Sequence, residues 1–181
     1  KNDLLNAMTD RALRELAVAT PYVDAADWRR TLGNHARDMR KSFLSNPILS
    51  DLVLIRSALS PRAAQLGVQE VELAVENLVQ AGLTAEQAFD AYSAVSLHVR
   101  GSVVLQRLYE KNRAANNGPG DFEETMVYDA EAAPLLAQVS REGHRIGAAD
   151  DTNFEYGLTC ILDNVERQIA EGKKAGKSRK G

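Results

Sequence analysis

The sequence predicts an all-α protein, and three observations carry that expectation. Aromatic residues make up only 6% of the chain while Leu, Ala, Glu and Gln are abundant, and unbranched side chains lose little rotamer freedom in a helix. Residues such as Trp28, Leu32, His35, Met39 and Phe43 recur every three or four positions, which places them on one helical face. Helix start and stop residues flank the periodic stretches, among them Ser60-Pro61, Gly82, the Thr84…Gln87 pair and Gly143. With 181 residues and 44% hydrophobic content, the chain is long enough for one well-buried domain.

A first helix is expected from about Asp3 to Val18, with Leu4, Leu5, Met8, Ala12, Leu13 and Leu16 at helical spacing, before Pro21 breaks it. Asp24 or Asp27 is expected to cap a second helix, whose spacing turns His35 and Met39 inward. The short apolar stretch from Pro47 to Ile55 follows. Pro61 then opens a helix that ends at Gly82 and holds Val71, Val75 and Leu78 inside. Thr84 with Gln87 forms a capping box and starts a long helix, Ala85 to about Asn112. A loop is expected over about 113–131, because "NNGPG" cannot be helical. Pro134 to Glu142 reads as a short helix, and Asp151 or Thr152 caps a last one running to about Ala170. Gly172 is expected to close it, leaving residues 1–171 as one domain and 172–181 as a basic, flexible tail.

Several function classes are excluded at this level. No apolar run approaches the roughly 18 residues that cross a bilayer, and the first residues lack the layout of a signal peptide, so the expected location is cytoplasmic. Cys160, the single cysteine, cannot form an internal disulfide; between Leu158 and Ile161 it reads as a small hydrophobe on the apolar side of the last helix. The net charge of −3 offers no bulk attraction to phosphate backbones. His35, His98 and His144 lie far apart and outside metal-ligand spacings, and no nucleophile–base pair or phosphate-cradling loop stands out. Neither enzyme chemistry, metal nor cofactor is expected.

The stretch "AEQAFDAYSAVSLHVRGSVVLQRLYEKN" is apolar most of the way round yet carries Ser93, Ser96, His98, Arg100 and Gly101. A helix apolar on two faces needs a second partner, and the economical one is another copy of the chain. The long and last helices are therefore expected to form a twofold four-helix interface, with Gly101, Ser102 and Gly157 permitting close approach. The segments "GLTAEQAFDAYSAVSLHVRGSVVLQ", "WRRTLGNHARDMRKSFLSNP" and "FEYGLTCILDNVERQI" resemble the regulatory domain of the TetR family of transcriptional regulators, in its tetracycline-repressor-like branch. The opening "KNDLLNAM" is similar to the segment that follows the family's recognition helix.

The resemblance implies a homodimer, a small-molecule effector in each subunit, and operator DNA bound through an N-terminal helix-turn-helix that is not in this chain. It places Phe89, Tyr92, Ser93, Ser96 and Leu97 toward an effector cavity with His35, Met39, Val71, Val75, Leu78 and Leu136. Gly101, Val104 and Leu105 of the long helix, and Leu158, Ile161, Leu162 and Val165 of the last, fall nearer the partner subunit. His35 stands where tetracycline-binding members have an asparagine, and Met39 where they have a phenylalanine. Their metal-holding histidine has no counterpart in "LVLIRSALSPR", and their partner-subunit carboxylate aligns with Leu105, so magnesium-tetracycline is not the expected ligand. Arg56 or Arg62 lies near the family's arginine-proline turn and could meet an anionic or carbonyl group. Residue by residue the plainer readings stay open: His35 as a core histidine bonded to a carbonyl, and Ser93 and Ser96 bonded back to their own helix. Tyr92, if buried, must place its hydroxyl on a partner, while His98 and Arg100 are expected outward or at the dimer rim. The effector is expected to be largely hydrophobic. The rival functions are a domain that only dimerises and a helical enzyme.

Overall fold

Local chemistry sets the helix ends, and the clearest case is the joint between the third and fourth helices. The computed structural model describes residues 23–55, 61–116 and 128–178, together with Ala7 and Arg11. Its helices are α1 (Trp28–Ser45), α2 (Pro47–Ser50), α3 (Pro61–Ala81), α4 (Ala85–Asn116), α5 (Pro134–Arg141) and α6 (Asp151–Ser178), with a π-helical turn, Asp51–Ile55, continuing α2. Among the described residues there is no strand. At the α3–α4 joint Gly82 has φ +122°, and its N–H bonds the Val79 carbonyl while the Leu83 N–H bonds that of Leu78. This pattern satisfies the last carbonyls of α3 and brings Leu83 onto Leu78, both buried. Thr84 then caps α4 reciprocally: its N–H donates to Gln87 Oε1 at 3.0 Å and the Gln87 N–H donates to its Oγ1 at 3.2 Å, the capping box that the sequence predicts.

Four local expectations are refined or corrected. Asp27, one of the two expected candidates, holds the N-cap position of α1, but its side chain makes no cap bond and pairs with Arg30, while Asp24 accepts from Ala26 N–H. The cap of α6 is Asp150, whose Oδ1 accepts from Asn153 N–H at 2.9 Å; Asp151 instead pairs with Arg40. The long helix runs one turn further than expected, to Asn116. Gly172 does not close α6, which continues to Ser178. Ile169 is buried and packs against Gly82, with the Lys173 stem alongside. That contact with the α3–α4 turn offsets the roughly 1 kcal/mol by which glycine disfavours a helix interior. The predicted helix Asp3–Val18 lies outside the described residues apart from Ala7 and Arg11, as do residues 117–127 of the predicted loop.

Packing is organised around α4, which contacts α1, α3, α6, α2 and the π-turn. Its Ala88, Ala91, Val95 and Val99 meet Leu32 and Ala36 of α1, Ala74 and Leu78 of α3, and Phe154, Leu158, Leu162 and Val165 of α6 in one core. A smaller cluster joins Phe43 to Val103, with Val53 and Leu54 of the π-turn against it. Asp51 anchors that turn by pairing with Lys111 at 2.8 Å and facing Arg107. Ion pairs lace α1 to α6, Arg29 with Asp163 and Glu166, and Arg37 with both oxygens of Glu155. Such half-exposed pairs fix register more than stability.

The crossing of α4 and α6 is closer than side chains usually permit. A Cβ added at Gly157 would lie 2.5 Å from His98 Cε1, and the His98 ring is fixed by a 2.8 Å bond to the Phe154 carbonyl and by stacking on Phe154. The imidazole therefore occupies the place of a side chain on α6. Gly157→Ala is expected to lower the free energy of unfolding by about 1–3 kcal/mol through overpacking. In a His98→Ala background the same change should instead stabilise by up to about 1 kcal/mol through helix propensity. Urea unfolding of the four-member cycle checks both signs, and a Gly157→Ala effect unchanged by removing His98 would refute the contact.

Candidate functional site

Chemistry-bearing side chains of α1 and α4 meet on the face of α4 that is turned toward α1. Tyr92 of α4 reaches His35 of α1: its hydroxyl lies 3.4 Å from Nε2, and the rings stack at 5.8 Å between centroids. The expectation that a buried tyrosine seeks a partner is met by a side chain, so His35 is not a core histidine held by a carbonyl. His35 is only 3% exposed, and its Nδ1 is buried with no hydrogen-bond partner among the described residues. Burial holds the imidazole below its usual pKa, against a smaller opposing effect of Asp38; the neutral ring then carries one donor and one acceptor. Burial pushes the Tyr92 phenol up, the negative charge of Glu70 adds to this, and Arg100 acts against it.

On the same helices, Met39 and Trp28 of α1 and Val75 of α3 are half-buried and pack against the core without entering it, and Val71 of α3 is likewise half-buried. Ser93 and Ser96 are half-buried one and four residues beyond Tyr92 along α4. Leu78 is fully buried within the core, whereas Phe89 and Leu97 stand 56% and 73% exposed and Leu136 projects from the exposed face of α5 with Leu135 and Val139. Arg56 lies outside the described residues, as does the side chain of Arg62. Glu70 was not legible as a site residue by its type. Its spacing to Ala74, Asn77 and Leu78, all buried, is the signal that turns it inward.

The residues expected at the partner subunit divide. Leu158, Leu162 and Val165 are buried at 5% exposure or less in the chain's own core, because α6 spends this face on α1 and α4. Gly101, Val104 and Ile161 are half-buried and Leu105 is exposed. Between α4 and α6 runs an open groove of about 420 Å³, bounded by Asp90, Ala91 and Ala94 on one side and Cys160, Ile161 and Asn164 on the other. Two readings are corrected here. Cys160 is exposed in this groove, since the α6 stripe of Leu158, Leu162 and Val165 points elsewhere. His98 turns inward onto Phe154, and because a carbonyl only accepts, its proton must lie on Nε2. The expected outward position holds for Arg100. Gly157 serves this contact within the chain. Arg40 also lies over the Phe154 ring, 4.6 Å from its centroid, and donates to the Ala149 carbonyl at 3.0 Å, tying the α5–α6 connection to α1. Among the described residues no three His, Cys, Asp or Glu side chains converge as metal ligands, and no described helix is long and apolar enough to cross a membrane.

An all-helical domain built on one long central helix, with a polar pair set in an apolar wall and a second apolar face left open, is of the regulatory-domain class. Residues 20–169 match the tetracyclin repressor-like C-terminal domain, and the chain belongs to the TetR family of transcriptional regulators. It is 61% identical to an HTH-type transcriptional repressor of Mycobacterium tuberculosis and to an uncharacterized HTH-type transcriptional regulator of Mycobacterium bovis, in each case over 97% of this chain and 67% of the relative. It is 24% identical to the class G tetracycline repressor protein of Vibrio anguillarum, over 92% of this chain and 73% of that protein.

The buried imidazole makes stability depend on pH. Because the folded pKa of His35 lies below the ordinary value of 6.5, the folded state resists protonation that the unfolded chain accepts. The stabilisation is complete above the unfolded value and is lost as pH falls through the folded one. Wild-type protein should therefore lose stability between pH 7.5 and 5 more steeply than His35→Gln, a comparison made by urea midpoints across that range. Parallel curves would show that His35 is not buried as a neutral ring.

Proposed function

We propose that this domain is the effector-sensing and dimerising part of a transcriptional repressor, and that a small, largely hydrophobic molecule binds between α1, α3 and α4. The observation that carries the reading is His35. A buried ring nitrogen without a partner costs about 1–3 kcal/mol, and a site that must orient a ligand is where such a group is retained among apolar neighbours. The names of the relatives support the repressor function, and the open face of α4, where Leu97, Leu105 and Leu108 are exposed, supports a homodimer. The α4–α6 groove is a place for the partner's side-chain ridge.

The action is a population shift. The effector binds one subunit arrangement more tightly, and in the full-length protein the helix-turn-helix headpieces leave the half-site spacing of operator DNA. Mass spectrometry of small molecules retained by the purified protein tests the sensor role, and Ser96→Phe should abolish retention while leaving helicity and dimer intact. Retention undiminished by Ser96→Phe would place the effector away from α4. For the dimer, Leu97→Glu with Leu105→Glu should give folded monomer in sedimentation, because both side chains are exposed in the single chain and cost its core little. An unchanged dimer would place the interface on another face.

A further inference from the structure

The groups around the His35–Tyr92 pair are unequal in charge, and the imbalance points to a ligand chemistry. Glu70 lies on the face of α3 that carries the buried Ala74, Asn77 and Leu78, and it is itself half-buried. The α3–α4 hairpin turns at Gly82–Leu83, and Glu70 and Ser96 stand equally far from Leu83 along the two antiparallel helices. Glu70 thus comes opposite the Tyr92–Ser96 turn, which agrees with its charge acting on the Tyr92 phenol. Among the described residues its carboxylate has neither ion pair nor hydrogen bond. Burial raises its pKa, the response of a carboxylate whose desolvation is uncompensated.

Among the described residues, the other charged groups do not supply the counter-ion. Asp38, which acts on His35, adds a second negative charge. Arg100 is exposed, and its influence on Tyr92 is smaller than that of Glu70. His35 is neutral, with its ring committed on one side to Tyr92. Among the described side chains the three helices offer an acceptor-only carboxylate, a phenol, an unpaired imidazole nitrogen, and the half-buried apolar groups Met39, Val71 and Val75.

Resting on the effector-sensing reading, we propose that the effector is an organic cation: an aromatic or alicyclic body bearing an amine protonated at neutral pH, with the ammonium received by Glu70 beside Tyr92. The ammonium would supply the donors that Glu70 lacks, and the Tyr92 ring face adds a cation–π contact. The apolar body lies against Met39, Val71 and Val75, and His35 Nδ1 takes a neutral polar group of the ligand. An anionic effector would bring like charge to Glu70 and is disfavoured.

The test uses matched probes differing only in charge: benzylamine and benzyl alcohol, 1-naphthylmethylamine and 1-naphthylmethanol, and the two 9-anthracenylmethyl compounds. Affinities are read by isothermal calorimetry on the full chain. In at least one pair the amine should bind about tenfold or more tightly than the alcohol, the scale of one hydrogen bond to a charged group. Glu70→Gln should abolish that preference while leaving the alcohol's affinity unchanged, with circular dichroism confirming the fold. Equal binding of amine and alcohol, or a preference that survives Glu70→Gln, overturns charge recognition by Glu70 and leaves the sensor reading standing. Binding by none of the six overturns the inference and counts against an apolar effector site between these helices.

Discussion

The seating of His98 over Gly157 is the contact on which the rest of this structure depends. It draws α4 and α6 together at Gly157, where α6 has no side chain, and the bond from Nε2 to the Phe154 carbonyl sets the rotation of α6 as well as its distance. Once that rotation is set, Leu158, Leu162 and Val165 must point into the core of their own chain. Phe154 is placed under Arg40, so α1 and the connection entering α6 are drawn to the same spot. A single substituent at Gly157 would disturb all of these at once, because interiors packed at crystal-like density pass strain to their neighbours.

With α6 rotated in this way, α4 is left with two faces of different character. Toward α1 and α3 it presents Tyr92, which meets His35 and the charge of Glu70. Away from the core it presents Leu97, Leu105 and Leu108 to the outside. The two faces share one helix of 32 residues, so on the effector-sensing proposal a shift of α4 that accommodates a ligand on one side would also move the surface offered to a partner on the other. That mechanical link is what a population shift needs, since a ligand acts only through a difference between two arrangements.

The family and most helix boundaries were legible in the sequence because they rest on local chemistry. Thr84 and Gln87 cap α4 by contacts three residues apart, and Gly82 ends α3 through its own φ. Where the sequence offered equivalent candidates it did not choose well: Asp150, Asp151 and Thr152 stand side by side, and only the position of Arg40 decides that Asp151 is drawn away and Asp150 caps. Gly172 shows the converse. Its intrinsic preference ends a helix, and the burial of Ile169 against a distant turn overrides it.

By itself the sequence determined an all-α chain, the order of its helices, its kinship, and the sets of residues that share a helical face. Periodicity carries that much, because 3.6 residues per turn relates positions within one helix. It does not say what each face meets. On α4, apolar residues on nearly every side left the direction of rotation open, and so His98 was expected at the rim although it is the group that fixes α6. The tertiary structure alone decided that Cys160 is outside and His98 inside. It also decided that the charge of Glu70 acts on Tyr92, because helix rotation is set by contacts between residues far apart in the chain, which no local spacing encodes.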